Sequence, residues 1–345
     1  MAPEKFRIAI TGDYERQALH LAAWDTLGEQ VELVPFHRPF ESLSATVAAL
    51  RDFDAITLMR ERTPLPRAVL EQLPRLKLIV FPGRSITNLD YAAAAERGIT
   101  VCGGVATSPQ PRDGGVATSP PPRDGGGGGP PSELALALML ACAWQIPAAD
   151  ALVRAGGWSF RPGLALRGKT LGIVGYGTLG KPMARHGHSL GMNVLAFSRS
   201  LSDQGASADG VQRADLETLL RASDVISLHL PLTSATTGLI GAHEIASLKP
   251  GVIFINTARA AIVDQSAMLE ALRTSKIAMA GLDVFDQEPL PADHPLLKLP
   301  NVIMTPHIGY VTTGNLARMY AEMIQVLAAY RQGVLKNRHT PPQAL

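Results

Sequence analysis

The feature that most restricts the fold is an apolar run at 170–175 that leads directly into Gly175-Tyr176-Gly177-Thr178-Leu179-Gly180, followed by a helical pattern over 178–190. A strand can pass so abruptly into a helix only through a tight turn, which Gly175 permits. Gly177 lets the main chain approach a pyrophosphate, and Gly180 lets helix pack closely on strand. The helix N-terminus then offers unpaired N–H groups and the positive end of a dipole to that anion. Three glycines at this spacing carry little weight alone. Inside a strand, turn, helix and strand unit they predict a dinucleotide site.

The same alternation runs through the rest of the chain. Apolar, β-rich runs occur at 6–11, 31–36, 55–60, 76–81 and 99–102, and again at 170–175, 193–198, 225–230, 252–257, 278–285 and 302–305, with helical stretches between them. Continuous apolar strands separated by helices predict parallel sheets covered on both faces. The 345 residues exceed one typical domain and suit two. The expected fold is α/β, with two doubly wound parallel-sheet lobes: a six-stranded Rossmann cofactor domain over 132–308 and a flavodoxin-like substrate domain over 1–102. The last helical stretch, 315–332, follows the final strand. Its return to the first lobe would make that lobe discontinuous, 1–102 with 309–345.

Between the expected lobes, GGVATSPQPRD at 103–113 is followed by GGVATSPPPRD at 114–124, then five glycines and two prolines through Pro131. Glycine and proline oppose both helix and strand, and no apolar periodicity is present, so 103–131 is expected to be an irregular insertion. Two copies without an apolar face cannot build a solenoid. Loop-closure entropy grows only logarithmically, so the insertion costs about 1–2 kcal/mol.

Composition removes several function classes. The longest apolar run, 134–144, falls short of the roughly 18 residues that span a bilayer and suits a buried helix. The N-terminal run carries Glu4, Lys5 and Arg7 and lacks the apolar core of a signal peptide, which predicts a cytoplasmic protein. Cys102 and Cys142 are the two cysteines; they cannot make a disulfide framework, and no Cys/His spacing suits a structural metal. The net charge of +2 comes from interspersed charges without a basic block, which speaks against nucleic acid as a partner.

In a dinucleotide-binding unit the second strand ends in an acid when the cofactor is NAD, because the carboxylate holds the ribose hydroxyls. Here it ends Phe197-Ser198-Arg199-Ser200, and the next acid is Asp203. A small hydroxyl followed by a guanidinium suits a 2′-phosphate. NADP is therefore expected over NAD, the alternative for Arg199 being a solvated turn residue.

Three segments fall at the ends of successive predicted strands, where ligands of open α/β sheets bind. They are Asn256-Thr257-Ala258-Arg259, Gly281-Leu282-Asp283-Val284-Phe285-Asp286-Gln287-Glu288-Pro289 and Thr305-Pro306-His307-Ile308-Gly309. With the glycine fingerprint, they make the chain resemble the D-isomer-specific 2-hydroxyacid dehydrogenase family over nearly its whole length outside the repeat. The resemblance implies hydride transfer between NAD(P)H and a small 2-keto acid or D-2-hydroxy acid, with Arg259, Glu288 and His307 as the catalytic residues. The chemistry needs these residue types. A ketone that accepts hydride develops negative charge on its oxygen, which an acid must protonate and a donor must stabilise. His307 would be that acid, and the base in reverse. Glu288 would orient its ring and favour the imidazolium form, and Arg259 would hold the substrate carboxylate with its planar fork.

The same resemblance assigns Gly175, Gly177, Thr178, Leu179 and Gly180 to the pyrophosphate, and Leu230 and Pro231 to the adenosine side. It assigns the backbone of Thr257, Ala258 and Arg259 to the nicotinamide, Asp283 to its carboxamide, and His307 and Gly309 to the same cofactor. Pro82, Gly83 and Arg84 resemble a loop whose N–H groups take the substrate carboxylate, a concavity suited to anions. Arg60 stands where some relatives use an arginine for substrate, its alternative being a surface charge. Ser132-Glu133-Leu134 resembles the start of the interdomain helix. The connection before it is lengthened by the repeat, which near the expected cleft would be either a lid or an obstruction to closure. A homodimer through the cofactor domains is also implied. Within the family, formate oxidation is disfavoured by Glu288 where a glutamine would stand, and phosphite oxidation by Pro82 where a lysine would stand. A phosphorylated substrate such as 3-phosphoglycerate stays open because Arg60 and Arg84 would supply cationic contacts. So does a protein that senses NAD(P)H with little turnover.

Overall fold

Five strands open the chain: β1 (Phe6–Thr11), β2 (Val31–Pro35), β3 (Ala55–Leu58), β4 (Leu78–Phe81) and β5 (Thr100–Gly103). They pair in parallel in the order β2-β1-β3-β4-β5, the doubly wound order of a flavodoxin-like sheet. The computed structural model describes residues 4–83, 86–103, 129–159, 161–199 and 201–334. Arg84, Ser200 and the repeat with its glycine tract over 104–128 lie outside those residues.

A second parallel sheet holds β6 (Thr170–Val174), β7 (Asn193–Phe197), β8 (Gln212–Arg213), β9 (Val225–Leu228), β10 (Val252–Asn256), β11 (Ile277–Leu282) and β12 (Val302–Met304). Its order is β12-β11-β10-β9-β6-β7-β8. This is the Rossmann arrangement, with the order reversing at β6, which bears the fingerprint. The sheet has one strand more than expected. β8 is two exposed residues at the edge, too short and too polar to leave an apolar signal. Of the expected strands that stop early, two do so for identifiable local reasons. Arg60 adopts a left-handed conformation, φ 56°, which ends β3. Asp283 leaves β11 to bind the loop after β12.

Alternate residues of the second sheet supply two separate cores, as a pleated strand covered on both faces requires. In β10, Val252 and Phe254 join one core, and Ile253 and Ile255 join the other. The helix Gly129–Trp144 covers the second face with Ala135, Leu138, Met139, Cys142 and Ala143. Their spacing of three, four, seven and eight residues draws one stripe down a helix. Full burial of a side chain such as Leu138 contributes about 1.5–3 kcal/mol. Gly281 makes the approach possible, since a Cβ there would lie 2.9 Å from that of Leu138. Among the described residues no single helix is long and apolar enough to cross a membrane.

Contacts divide the chain into two units. The described residues up to Gly103, with those from Thr312 onward, form one; those from Gly129 to Val311 form the other. The helix Thr313–Arg331 returns to the first unit. There Tyr320 packs its ring 5.9 Å from Trp24 and its hydroxyl reaches Asp13 Oδ1 at 3.4 Å. The same carboxylate oxygen accepts the N–H groups of Gln17 and Ala18 at 2.8 and 3.0 Å. One buried acid thus ties the end of β1 to the returning helix.

Candidate active site

Each glycine of the fingerprint has its own steric reason. Gly175 sits at φ 104°, and a Cβ there would come within 2.7 Å of the His229 carbonyl group. A Cβ on Gly180 would stand 2.1 Å from the Gly175 carbonyl oxygen, so only glycine lets the helix Gly180–Ser189 begin this close to the turn. At Gly177 a Cβ would meet nothing within 4 Å. Its backbone faces open space, which is what a dinucleotide phosphate needs, and no side chain caps the helix that follows. Thr178 and Leu179 complete the turn. The Tyr176 hydroxyl donates to Asp209 Oδ2 at 3.0 Å, and Lys181 reaches the same oxygen at 2.9 Å; burial and then this carboxylate push the phenol up to about 12.

The second strand of the unit meets the fingerprint through the Gly175 N–H, which donates to the Phe197 carbonyl at 2.8 Å. Ser198 follows, half-buried, and Arg199 is exposed. Asp203 is occupied in an ion pair with Arg213 at 3.1 Å. On the other flank the Leu230 side chain crowds Gly175, and the Pro231 carbonyl accepts from Thr236 Oγ1 at 2.7 Å. His229, just after β9, is buried, and burial pushes its ring down to about 4.

Parallel pairing sets Asn256 of β10 beside Leu282 of β11, and Leu282 beside Met304 of β12. The segments after these strands therefore emerge side by side. Glu288 Oε2 stands 2.6 Å from His307 Nδ1, while Oε1 accepts the Phe285 N–H at 2.9 Å. An ionised carboxylate can only accept, so Nδ1 carries the proton of that bond and Nε2 is left as the ring's other proton-exchanging atom. Burial raises Glu288, but the His307 bond and charge, the Phe285 amide and the Arg259 charge outweigh it and hold it below the ordinary value of 4.5.

His307 itself has φ 53°, a left-handed conformation that costs a non-glycine residue about 1–3 kcal/mol. Asp283 fixes it there. Its carboxylate, 1 % exposed, accepts from Thr305 Oγ1 at 2.6 Å and from the N–H groups of Ile308 at 2.8 Å and Gly309 at 2.9 Å. Glycine at 309 eases this approach, since a Cβ there would crowd Oδ2 at 3.1 Å. Burial raises the Asp283 pKa despite these bonds and the His307 charge. The half-buried Arg259 lies close enough to act on Glu288 electrostatically, and its Nη1 donates to the Ala258 carbonyl at 2.7 Å. Thr257 and Ala258 form the turn before it.

Residues 136–309 match the D-isomer specific 2-hydroxyacid dehydrogenase NAD-binding domain. The chain belongs to this family. It is 38 % identical over 296 residues to the glyoxylate reductase of Thermococcus litoralis, covering 82 % of each chain. It is 40 % identical over 265 residues to the D-3-phosphoglycerate dehydrogenase of Archaeoglobus fulgidus, covering 75 % of this chain but 46 % of the relative. The chain thus spans about half the length of that dehydrogenase. The crystal structure of a phosphoglycerate oxidoreductase from Vibrio cholerae superposes with a TM-score of 0.83 at 30 % identity, over 95 % of this chain and 99 % of the other. The family shares the two-sheet fold described above.

In the first unit, the Arg60 guanidinium reaches over the loop after β4, its Nη1 3.0 Å from where a Gly83 Cβ would stand, with Glu61 3.7 Å from its Nε. Pro82 is buried there. Motif reading did not single out Asn256, whose amide holds the turn before Arg259, or Tyr310, whose ring stands edge-on to His307 at 6.0 Å. The TPHIG motif led up to Tyr310 and could have flagged it.

A carboxylate with a lowered folded pKa stabilises the fold above its ordinary value, and the contribution is lost as pH falls through the folded value. Glu288→Gln should therefore melt below wild type at neutral pH and converge with it well below pH 4.5. Melting curves across pH check this; a constant offset would count against it.

Proposed function

We propose that this family member transfers hydride between NADP(H) or NAD(H) and a small, unphosphorylated 2-keto acid or D-2-hydroxy acid. The observation that carries the reading is the 2.6 Å contact between Glu288 and His307, on a braced loop beside Arg259. A dihydronicotinamide held there would supply the hydride to the carbonyl carbon. His307 gives its Nε2 proton to the carbonyl oxygen as the C=O π bond opens, and recovers a proton from solvent afterwards. Glu288 holds the ring in the tautomer that this needs and stabilises its charge. Arg259 binds the carboxylate and polarises the adjacent carbonyl. Asp283 would hold the nicotinamide carboxamide in this reading. Arg60 and the Pro82, Gly83 and Arg84 loop complete the substrate contacts in this reading.

NADP is the favoured cofactor. Ser198 and Arg199 offer a hydroxyl and a guanidinium where NAD enzymes present an acid, and Asp203 is engaged by Arg213. A homodimer belongs to the same proposal. Helix Ile146–Arg154 buries none of its residues, and Trp144, Ile146, Val153 and Trp158 are exposed, Trp158 by 83 %. Apolar surface of this kind marks association sites.

His307→Ala should lower kcat at least about a hundredfold, the usual worth of a positioned general acid, while leaving NADPH binding nearly unchanged. Steady-state reduction of glyoxylate, hydroxypyruvate and pyruvate tests this, and retained turnover would remove His307 from its role. Ser198→Asp should swing the kcat/KM preference from NADPH toward NADH; an unaltered ratio would show that the end of β7 does not read the 2′ position.

A further inference from the structure

The residue whose side chain closes the turn before Arg259 is buried and cannot itself meet a ligand. Asn256, the last residue of β10, is 2 % exposed. Its side-chain Oδ1 accepts the Ala258 N–H at 3.0 Å, and its Nδ2 donates to the Arg259 carbonyl at 3.0 Å. One amide thus takes the place of a peptide group and closes the turn from both sides, a role that asparagine fills because it carries a donor and an acceptor on one short stem. The main-chain carbonyl of Asn256 accepts the Asp283 N–H at 3.0 Å, which ties this turn to the acid that braces the His307 loop.

The guanidinium rests on the turn that Asn256 shapes. Ala258 gives its N–H to the asparagine, and its carbonyl receives Arg259 Nη1 at 2.7 Å. We propose that Asn256 is a positioning residue for recognition of the substrate carboxylate, acting through the Ala258 peptide to aim Arg259. The proposal rests on the dehydrogenase reading and adds a determinant of keto-acid affinity outside the Arg259, Glu288 and His307 set. Aspartate has the same shape but only acceptors, so it would keep the Ala258 bond and set a carboxylate oxygen against the Arg259 carbonyl. Alanine would leave the Ala258 N–H without its partner and the Arg259 carbonyl with the Ile262 N–H at 3.4 Å.

The test uses the full chain as wild type, Asn256→Asp and Asn256→Ala. Turnover is measured with glyoxylate, hydroxypyruvate and pyruvate, and binding of oxamate, a non-reducible keto-acid analogue, to the dinucleotide complex. Because ångström displacements of a binding group cost orders of magnitude, Asn256→Ala should raise the keto-acid KM and weaken oxamate binding at least about thirtyfold, a loss at least about tenfold greater than any loss of dinucleotide affinity through the Thr257 to Arg259 backbone. The KM should rise more than kcat falls, since the lost interaction is already made with bound substrate. The bond between Glu288 and His307 is untouched, so the pH profile should change only through the Arg259 charge that acts on Glu288. Asn256→Asp should fall between the two, and it carries the test if the alanine variant fails to fold. An active wild type with variants of equal KM and oxamate affinity, or variants that lose dinucleotide and oxamate affinity in parallel, overturns the assignment of Asn256 alone. A wild type that binds dinucleotide yet neither turns over nor binds oxamate overturns the dehydrogenase reading, and this proposal with it.

Discussion

The carboxylate of Asp283 is the group on which the geometry of the site depends. It gathers a hydroxyl and two backbone N–H groups from the loop after β12, and these hold His307 in a left-handed conformation that the chain would otherwise leave. Its pKa is raised, with burial as the leading cause, so desolvation outweighs what the bonds return. A raised folded value means that the ionised acid lowers stability as pH rises past its ordinary range. Glu288 has the opposite sign. Asp283 therefore supplies orientation at a cost in stability, whereas the pairing of Glu288 with His307 contributes to both.

Parallel sheet topology explains how residues so far apart in sequence come together. The carboxyl ends of all strands in such a sheet lie along one edge, and neighbouring strands deliver their loops a few ångströms apart. Register then does the fine work. Asn256 faces Leu282, which faces Met304, so the Arg259 turn, Asp283 and the His307 loop begin at the same level. The fingerprint on β6 occupies the same edge, with Gly177 open and Gly175 and Gly180 closed by their neighbours.

Apolar periodicity made both sheets legible from sequence because it reports burial directly. It overlooked β8, whose two residues are exposed. It also overran β3 and β11, where Arg60 and Asp283 leave the ladder for reasons that lie outside the strand. The glycine fingerprint and the Arg259, Glu288 and His307 segments were legible because their chemistry needs fixed residue types at fixed spacing. The parts that hold them were not. Asn256 and Tyr310 act through partners set by turn geometry and strand register, and neither leaves a periodic or compositional mark. The glycine at 309 read as a cofactor residue, while its packing also ties it to the approach of the Asp283 carboxylate.

Hydride transfer in this family member should proceed with D stereochemistry at a 2-keto acid. It is tested most directly by the configuration of the product formed from pyruvate and hydroxypyruvate with reduced dinucleotide, resolved on a chiral column. The D-hydroxy acid should be in excess from at least one of them, formed in step with loss of dihydronicotinamide absorbance. An L-hydroxy acid, or dinucleotide binding without any product, would contradict it.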